Sequence, residues 1–266
     1  MSSTIHLQLT DLMIAALLVL ASSAASWALR LQVQRQVLIA AVRMVAQLLL
    51  VGWVLRWVFQ SASPAMTVLV VIFMIGAAAR EVAVRPHKHL KRGGNYPIAG
   101  LVVASSSIAT VVLALMTAVR PEPWYDARYA IPLTGIVLGA VLNSASLGLD
   151  SFFDGVQSAR ASIEAQLALG IPMREALAQH VQSAIRRGLV PIINQMSAAG
   201  LITLPGIMTG QILGGMDPLE AAKYQILLLF LLTGAGVLAS VGSVFLAARA
   251  LSDERERLRL DRLQAD

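Results

Sequence analysis

Long apolar stretches alternate with short polar segments along the whole chain. At about 1.5 Å of rise per residue, roughly 20 apolar residues cross the hydrocarbon core of a bilayer as a helix. The pattern predicts an all-α polytopic membrane protein with about seven transmembrane helices in one domain over residues 1–266. The predicted spans are about 12–29, 37–59, 64–79, 97–119, 129–149, 189–213 and 222–248.

The longest polar interruption, residues 150–188, has a helical pattern of its own. Apolar residues recur every three or four positions from Phe152 to Leu167, which is typical of an amphipathic helix. Gly170 then suits the left-handed residue that often ends a helix, and Pro172 suits the start of a second helix. The segment is therefore predicted to be a helix–turn–helix between spans five and six.

Composition supports a membrane location and narrows the possible partners. Hydrophobic residues make up 57% of the chain and charged residues 14%, and the mean hydropathy is +0.70. A soluble domain of this composition would expose too much apolar surface. The net charge of +6 is better explained by cytoplasmic Lys and Arg that orient the spans than by nucleic-acid binding. The absence of cysteine excludes disulfides and thiolate metal sites.

Lys and Arg are concentrated on alternate sides of the predicted spans. They follow spans one and three, and they occur in the hairpin and in the tail after Arg249, which we expect to form a short solvated helix. The opposite side is sparse in basic residues: Arg56, Arg120, Arg128 and Lys223. The bias predicts an outer N-terminus and a cytoplasmic C-terminus, with the hairpin and the basic loop 80–96 also in the cytoplasm.

Polar residues and methionines in spans five and six form a candidate substrate path. Asn143, Ser146 and Asp150 are spaced so that they form one polar stripe down the inner half of span five. Five residues of span six are expected to face the same gap between the two spans: Asn194, Gln195, Met196, Met208 and Gln211. Structural interhelical hydrogen bonds and a substrate path both explain such a set. Thioether and carboxylate or amide oxygen ligands can hold a transition-metal cation, although methionine is also an ordinary apolar filler.

Span six also contains a glycine ridge and a proline. Gly206, Gly210 and Gly214 recur every four residues, which gives a smooth surface that another helix can approach closely. We favour helix packing over a direct substrate role for this ridge. Pro205 is expected to remove a backbone hydrogen bond near the middle of the membrane, so residues 200–210 are a candidate hinge or carbonyl site.

Three segments resemble the FetB-type permeases, the membrane subunits of a bacterial iron-export ABC transporter related to plant aluminium-tolerance permeases. The first is IPLTGIVLGAVLN at 131–143, and the second is the Glu164-Ala165 pair followed by Gly170. The third is QMSAAGLITLPGIMTGQILGG at 195–215. The resemblance covers most of the chain and is strongest from 130 to 230.

This resemblance implies a homodimeric permease of the bacterial inner membrane that couples to a separate cytoplasmic ATPase subunit. Glu164, Ala165, Gly170 and Pro172 would belong to the coupling loop that docks into the ATPase. The expected substrate is a metal cation such as iron, moved by export. The permease would bind no cofactor directly and would have no catalytic residue, since ATP and Mg²⁺ would be held by the partner.

Two alternative functions remain open at this stage. One is a carrier or channel that needs no ATPase. The other is a membrane lipid phosphotransferase, because Asp150, Asp154-Gly155 and Ala159-Arg160 are similar to a phosphatidyltransferase signature, with spacing one residue too long. The sequence has no phosphate-binding lysine loop, so any ATP hydrolysis must be carried out by another protein. His87 and His89 could bind metal, but in a basic loop we expect them to face lipid headgroups.

Overall fold

The computed structural model describes residues 9–30, 32–61, 63–123, 125–253 and 255–265. These residues are almost entirely helical, and six of their helices are long and apolar enough to cross a membrane, which confirms the predicted all-α membrane fold. The chain divides into two compact units, residues 1–62 and 63–266.

The smaller unit is a helical hairpin made of α1, Leu9–Ala28, and α2, Gln34–Ser61. Large apolar side chains on both helices are exposed, including Leu18, Trp27 and Trp53. Exposed apolar side chains are stable on a helix that faces lipid. The predicted spans 12–29 and 37–59 lie in these two helices, and span one extends one residue past α1.

The larger unit contains seven helices and one small sheet among its described residues. Its first helices are α3, Pro64–Val84, and α4, Asn95–Ala114, which a π turn continues to Val119. The remaining helices are α5, Ala127–Ser158; α6, Arg160–Ala168; α7, Met173–Ala198; α8, Gly206–Leu213; and α9, Pro218–Ala250. The strands are β1, Lys88–Leu90, and β2, Leu263–Ala265. Helices α5, α7 and α9 pack together, and α3 and α4 pack against this core.

Small residues allow α5, α7 and α9 to approach closely. A methyl group on Gly188 of α7 would lie 2.5 Å from Ser240 Oγ and 2.6 Å from the Ser144 carbonyl oxygen. One on Gly236 of α9 would lie 2.8 Å from Ser144 Oγ. Ser240 Oγ donates to the Ile185 carbonyl oxygen at 3.3 Å. This three-helix contact uses the close packing that small residues permit in membranes.

The predicted hairpin is an extension of two membrane helices and has no boundary of its own. Residues 150–158 are the last turns of α5, and the second helix of the hairpin continues past Gly188 and Pro191 to Ala198. The backbone hydrogen bonds of a helix are internal, so a helix can leave the bilayer without a break. Both α5 and α7 therefore connect the hairpin rigidly to the membrane core.

The predicted span 189–213 is a broken segment and not one helix. Helix α7 ends at Ala198, and α8 begins at Gly206 with Pro205 as its N-cap residue. Between them Gly200 is left-handed, with φ of 85°. The disturbance expected at Pro205 is thus a complete break in the helix, and it overlaps the candidate hinge at 200–210. Proline lacks an N–H and clashes with the carbonyl four residues before it, so the helix stops early and restarts after the proline.

The broken segment nevertheless runs along the whole of α9. The start of α7 lies beside the tail that follows α9, because the Met173 N–H donates to Glu256 Oε2 at 3.0 Å. The end of α8 is joined to the start of α9 by the turn 214–217. Helix α9 has 33 residues and is about 50 Å long, more than the roughly 30 Å of a bilayer core. The described part of the chain thus has six continuous crossing helices and one broken crossing, which agrees with the predicted seven.

The tail after α9 is folded against the protein and is not the solvated helix that its charges suggested. Strand β2 pairs antiparallel with β1, with Leu263 opposite Leu90. Leu258, Leu260 and Leu263 pack against the core of the larger unit. Apolar residues alternate with charged ones at 257–260, and this period of two favours extended backbone over helix.

Candidate functional site

The exposed end of the larger unit is built around the turn between α6 and α7. Ile163 is fully buried and fixes α6 against the core. The Gly170 N–H donates to the Leu167 carbonyl at 3.0 Å, and the Ile171 N–H donates to the Gln166 carbonyl at 3.1 Å. These two bonds form a Schellman motif. Gly170 has φ of 82°, so the left-handed conformation expected from the sequence is present.

The four residues assigned to coupling lie together at this end, and all of them are exposed: Glu164, Ala165, Gly170 and Pro172. Glu164 Oε1 accepts a hydrogen bond from Arg160 Nε at 2.8 Å. Pro172 is the N-cap residue of α7, one position before the helix starts. Leu169 forms the tip of the turn and is 82% exposed. Leu169 thus places an apolar side chain at the outermost point of the turn.

The tail holds the start of α7 in place. Glu256 accepts the N–H of Met173, one of the donors that a helix N-terminus leaves without an internal partner. A cavity of about 770 Å³ separates α7 from the end of α9 near this contact, and Met173, Leu177 and Phe245 are among its lining residues. Sequence reasoning missed Glu256 because it lies 83 residues from Met173 along the chain.

The polar stripe on α5 holds the basic loop that follows α3. Asn143 Oδ1 accepts from Arg85 Nη1 at 3.1 Å, and Asp150 Oδ1 accepts the N–H of His87 at 2.9 Å. One turn further on, Lys88 Nζ lies 2.6 Å from Asp154 Oδ1. Asp150 and Asp154 therefore have protein partners, which gives the phosphotransferase alternative no support.

Ser146 is separate from these contacts. It is buried, and its Oγ has no hydrogen-bond partner among the described residues. Asn143 and Asp150 bind the basic loop that follows α3, whereas the side chain of Ser146 does not. The other two have a structural role that the sequence left open.

Asn95 is an anchor that the sequence did not reveal. Only 2% of it is exposed. Its Oδ1 accepts the N–H of Leu90 at 3.2 Å, and its Nδ2 donates to the Ala83 carbonyl at 3.1 Å. The Nδ2 atom also lies 3.3 Å from His89 Nδ1. The Gly-Gly pair before Asn95 indicated only a chain break, although Asn next to such a break commonly bonds local backbone.

The basic loop, the hairpin and the tail meet at one end of the larger unit. Lys88 joins the loop to α5, β1 joins the loop to the tail, and Glu256 joins the tail to α7. The charge distribution predicted that these three segments share one side of the membrane. Among the described residues, no group of three or more His, Asp or Glu side chains is placed to hold a metal ion.

The candidate path residues of span six lie on both sides of the break. Met196 Sδ accepts from Thr233 Oγ1 at 3.2 Å, while Asn194 and Gln195 are exposed. On α8, Met208 and Gln211 are partly buried, and Gln211 Oε1 has no hydrogen-bond partner among the described residues.

These residues do not join the α5 stripe. Gly188 is the α7 residue that contacts α5 at Ser144 and Gly148. Asn194 follows it by six positions, which is about 9 Å along the helix. The stripe and the span-six set therefore occupy different depths, and sequence spacing within each span did not show this offset.

The glycine ridge of α8 is open. No heavy atom of the described residues would lie within 4 Å of a Cβ on Gly206 or Gly210, and a Cβ on Gly214 would approach the backbone of residues 210 and 211. Within this chain, close helix packing occurs at Gly148, Gly188 and Gly236 and not at the predicted ridge. The described part of the larger unit thus leaves the ridge open to a further helix.

The tail contains the perturbed ionisable groups of this end. Hydrogen bonds from the backbone and side chain of Arg257 lower the pKa of Asp253 to about 2. A hydrogen bond from Arg259 lowers the pKa of Asp261 to about 2, and the same pair raises the pKa of Arg259. Both carboxylates remain charged near neutral pH and keep the tail in its folded path.

The fold and the site define an all-helical, multi-pass membrane protein whose crossing helices extend into an exposed helical hairpin. Comparison with known proteins gives the family: the chain belongs to UPF0014, described as an uncharacterised protein family, which matches residues 9–252. This membership agrees with the resemblance to FetB-type permeases noted in the sequence.

Several relatives match most of the chain. A UPF0014 membrane protein of Synechocystis sp. is 35% identical over 84% of this chain and 85% of its own length. The Arabidopsis thaliana protein named Aluminum Sensitive 3 is 30% identical over 83% of this chain and 79% of its own. The Escherichia coli protein named probable iron export permease protein FetB is 28% identical over 96% of both. No solved structure matches the chain.

Proposed function

We propose that the chain is the membrane subunit of an ABC transporter that exports a metal cation such as iron. A separate cytoplasmic subunit would bind ATP and Mg²⁺ and hydrolyse the nucleotide, while this chain provides the path and has no catalytic residue. The name of the Escherichia coli relative supports the substrate and the direction. The exposed turn at Gly170 supports the ATPase partner.

The observation that carries the proposal is the rigid connection between that turn and the broken crossing. Helix α7 begins one residue after Pro172 and runs without interruption to Ala198, over 26 residues or about 39 Å. A displacement of the turn would therefore be transmitted along α7 to the break at 199–205. Leu169 at the tip offers apolar surface for the ATPase to cover.

The energetics follow from linkage. ATP-driven association of two ATPase subunits changes the transport path only if it favours one membrane conformation over another. The break is suited to such a change because few intrahelical hydrogen bonds must be lost there. In transporters, broken helices place backbone groups and helix ends beside the substrate.

We assign the substrate path to the residues that flank the break. Met196 at the end of α7 and Met208 on α8 would supply thioethers, and Asn194, Gln195 and Gln211 would supply amide oxygens. Ser146 remains a candidate because it is buried and has no partner among the described residues. Thioether sulfurs are soft ligands and amide oxygens are harder ones, but both are uncharged, so the set would hold a cation less tightly than carboxylates or thiolates do.

The proposed assembly is a homodimer in the bacterial inner membrane, with an outer N-terminus and a cytoplasmic C-terminus. The open ridge at Gly206, Gly210 and Gly214 would meet the second copy.

The absence of cysteine makes sidedness directly testable. An impermeant thiol reagent added to intact cells should label Glu122→Cys and leave Ser158→Cys unmodified. Labelling of Ser158→Cys would reject this orientation. Ser3→Cys should also be labelled, although Ser3 lies outside the described residues.

Two variants of the turn test the coupling proposal. Gly170→Val places a β-branched residue at a φ of 82°, where a side chain costs about 1–2 kcal/mol. Glu164→Lys reverses a charge on the exposed face of α6. Both variants should insert normally, should fail to co-purify with the ATPase and should lose ATP-dependent metal export in vesicles.

Matched controls separate docking from general damage. Glu220→Lys breaks an exposed pair with Lys223, as Glu164→Lys breaks the pair with Arg160, but it lies at the start of α9. Gly139→Val introduces the same side chain where no atom lies within 4 Å of a Cβ. Both controls should keep ATPase binding. A carrier or channel would transport without ATP and would tolerate the turn variants. Surface substitutions of this kind usually change the stability by no more than about 0.5 kcal/mol. Wild-type transport by Gly170→Val and Glu164→Lys would therefore exclude coupling through this hairpin.

A further inference from the structure

A second cavity, of about 550 Å³, lies between the end of α9 and the tail. We name it the arginine pocket after the residues that line it, which are Arg249, Ser252, Asp253, Arg255, Arg257 and Arg262. Among the residues that the structure describes, this lining contains four guanidinium groups and one carboxylate. This composition leaves three positive charges in excess within one concave surface.

Two of the four arginines already have structural partners. Arg257 forms an ion pair with Asp253 at 2.8 Å. Arg262 donates to the carbonyl oxygens of Ala250 and Ser252, at the end of α9. This guanidinium offsets the partial negative charge that a helix C-terminus would present to an anion.

The other two arginines are available to a ligand. Arg249 and Arg255 are exposed, and among the described residues neither side chain forms a hydrogen bond or an ion pair. Guanidinium groups present paired N–H donors that match the oxygens of a phosphate in a bidentate arrangement. The pocket thus has the positive charge and the donor groups that a phosphate requires.

The location of the pocket indicates where such a phosphate would come from. Arg249 is in the last turn of α9 and directly follows the predicted span 222–248. The predicted span therefore places its guanidinium near the level of the lipid headgroups. Basic clusters next to a membrane helix attract anionic lipids.

We propose that the arginine pocket binds a phosphate group, supplied by the headgroup of an anionic phospholipid. The first segment of the tail borders both this pocket and the cavity beside α7, since Arg249, Ser252 and Asp253 line both. The same segment carries Glu256, which caps α7. A bound phosphate would hold this segment in the position that fixes the start of α7. The site does not depend on the proposed ABC function.

Binding is tested with the full chain in phosphatidylcholine nanodiscs, titrated with fluorescent short-chain phosphatidic acid. Wild type should bind the probe saturably, and Arg249→Gln/Arg255→Gln should weaken binding by about tenfold or more. Arg186→Gln/Arg187→Gln removes two exposed charges of α7 outside the pocket and should bind like wild type. Equal thermal stability of the two double variants without anionic lipid would show that both are folded.

Competition distinguishes the sources of the phosphate. Displacement by unlabelled short-chain phosphatidylglycerol, but not by inorganic phosphate at the same concentration, supports a lipid headgroup. Equal displacement by inorganic phosphate supports the phosphate site but rejects the lipid as its source. The proposal is overturned if probe binding does not saturate. It is also overturned if the α7 double variant weakens binding as much as the pocket variant.

Discussion

Gly188→Ala tests whether the contact of α5, α7 and α9 is as close as the structure shows. The new methyl group would lie 2.5 Å from Ser240 Oγ and 2.6 Å from the Ser144 carbonyl oxygen. A serine hydroxyl can rotate away. The carbonyl belongs to the backbone of α5, so only a shift of α7 relieves that clash.

The expected loss of stability follows from two opposing terms. In an unconstrained helix, replacing Gly by Ala stabilises by about 1 kcal/mol. Overpacking a tight core typically costs about 1–3 kcal/mol. Because both close atoms lie well inside van der Waals distance, we expect overpacking to outweigh the gain in helix propensity, with a net loss of up to about 2 kcal/mol. For a chain of this length, each kcal/mol lowers the Tm by about 2–4 °C.

The assay is thermal unfolding of the purified protein in one detergent. The quantity measured is the fraction of protein that remains monodisperse after heating. Gly139→Ala is the matched control, since it adds the same methyl group to α5 with no atom within 4 Å. Its Tm should equal or exceed that of wild type. Adding Ser240→Ala to Gly188→Ala should recover only part of the loss, because the carbonyl contact remains. A Tm for Gly188→Ala at or above that of Gly139→Ala would refute the close approach.

Three further predictions concern other parts of the larger unit. Asn95→Ala should cost about 2 kcal/mol in thermal unfolding because it strands two buried backbone groups, whereas Lys88→Ala, at a partly exposed pair, should cost at most about 1 kcal/mol. Gly210→Leu should insert and fold normally but elute as a monomer in light scattering; an active dimer would show that the ridge faces lipid. Asp253 has a pKa lowered from 3.8 to about 2, so its contribution to holding the tail is complete above about pH 4 and is lost as the pH falls towards 2. Pepsin should therefore cleave the tail of the wild-type protein only near about pH 2. It should cleave the tail of Asp253→Asn at every pH from about 4 down to about 2.

The sequence was sufficient for features that depend on local chemistry. The length and apolar character of each stretch determined the membrane class and the number of crossings, because a bilayer imposes one helix length. The left-handed turn at Gly170 was equally local, since glycine adopts positive φ at little cost. The exposed position of Glu164 also followed from its place on the polar face of an amphipathic helix.

Partly local features were predicted less accurately. Pro205 correctly marked a disturbance in span six, but the sequence did not show that the helix stops at Ala198 and restarts at Gly206. The glycine spacing suggested close packing, yet spacing alone does not determine which helix, if any, lies against the ridge. The alternating apolar residues of the tail carried a signal for extended structure, which its high charge obscured.

Only the tertiary structure decided which segments meet. Arg85 and Asn143 are 58 residues apart in the chain, and Met173 and Glu256 are 83 apart. The contact of α7 with α5 and α9 likewise requires residues from distant segments. Local residue patterns describe what each segment favours by itself, but such pairings depend on how whole helices pack. That packing determined that Asn143 and Asp150 hold a loop, that Glu256 caps α7, and that Gly188 forms the close contact.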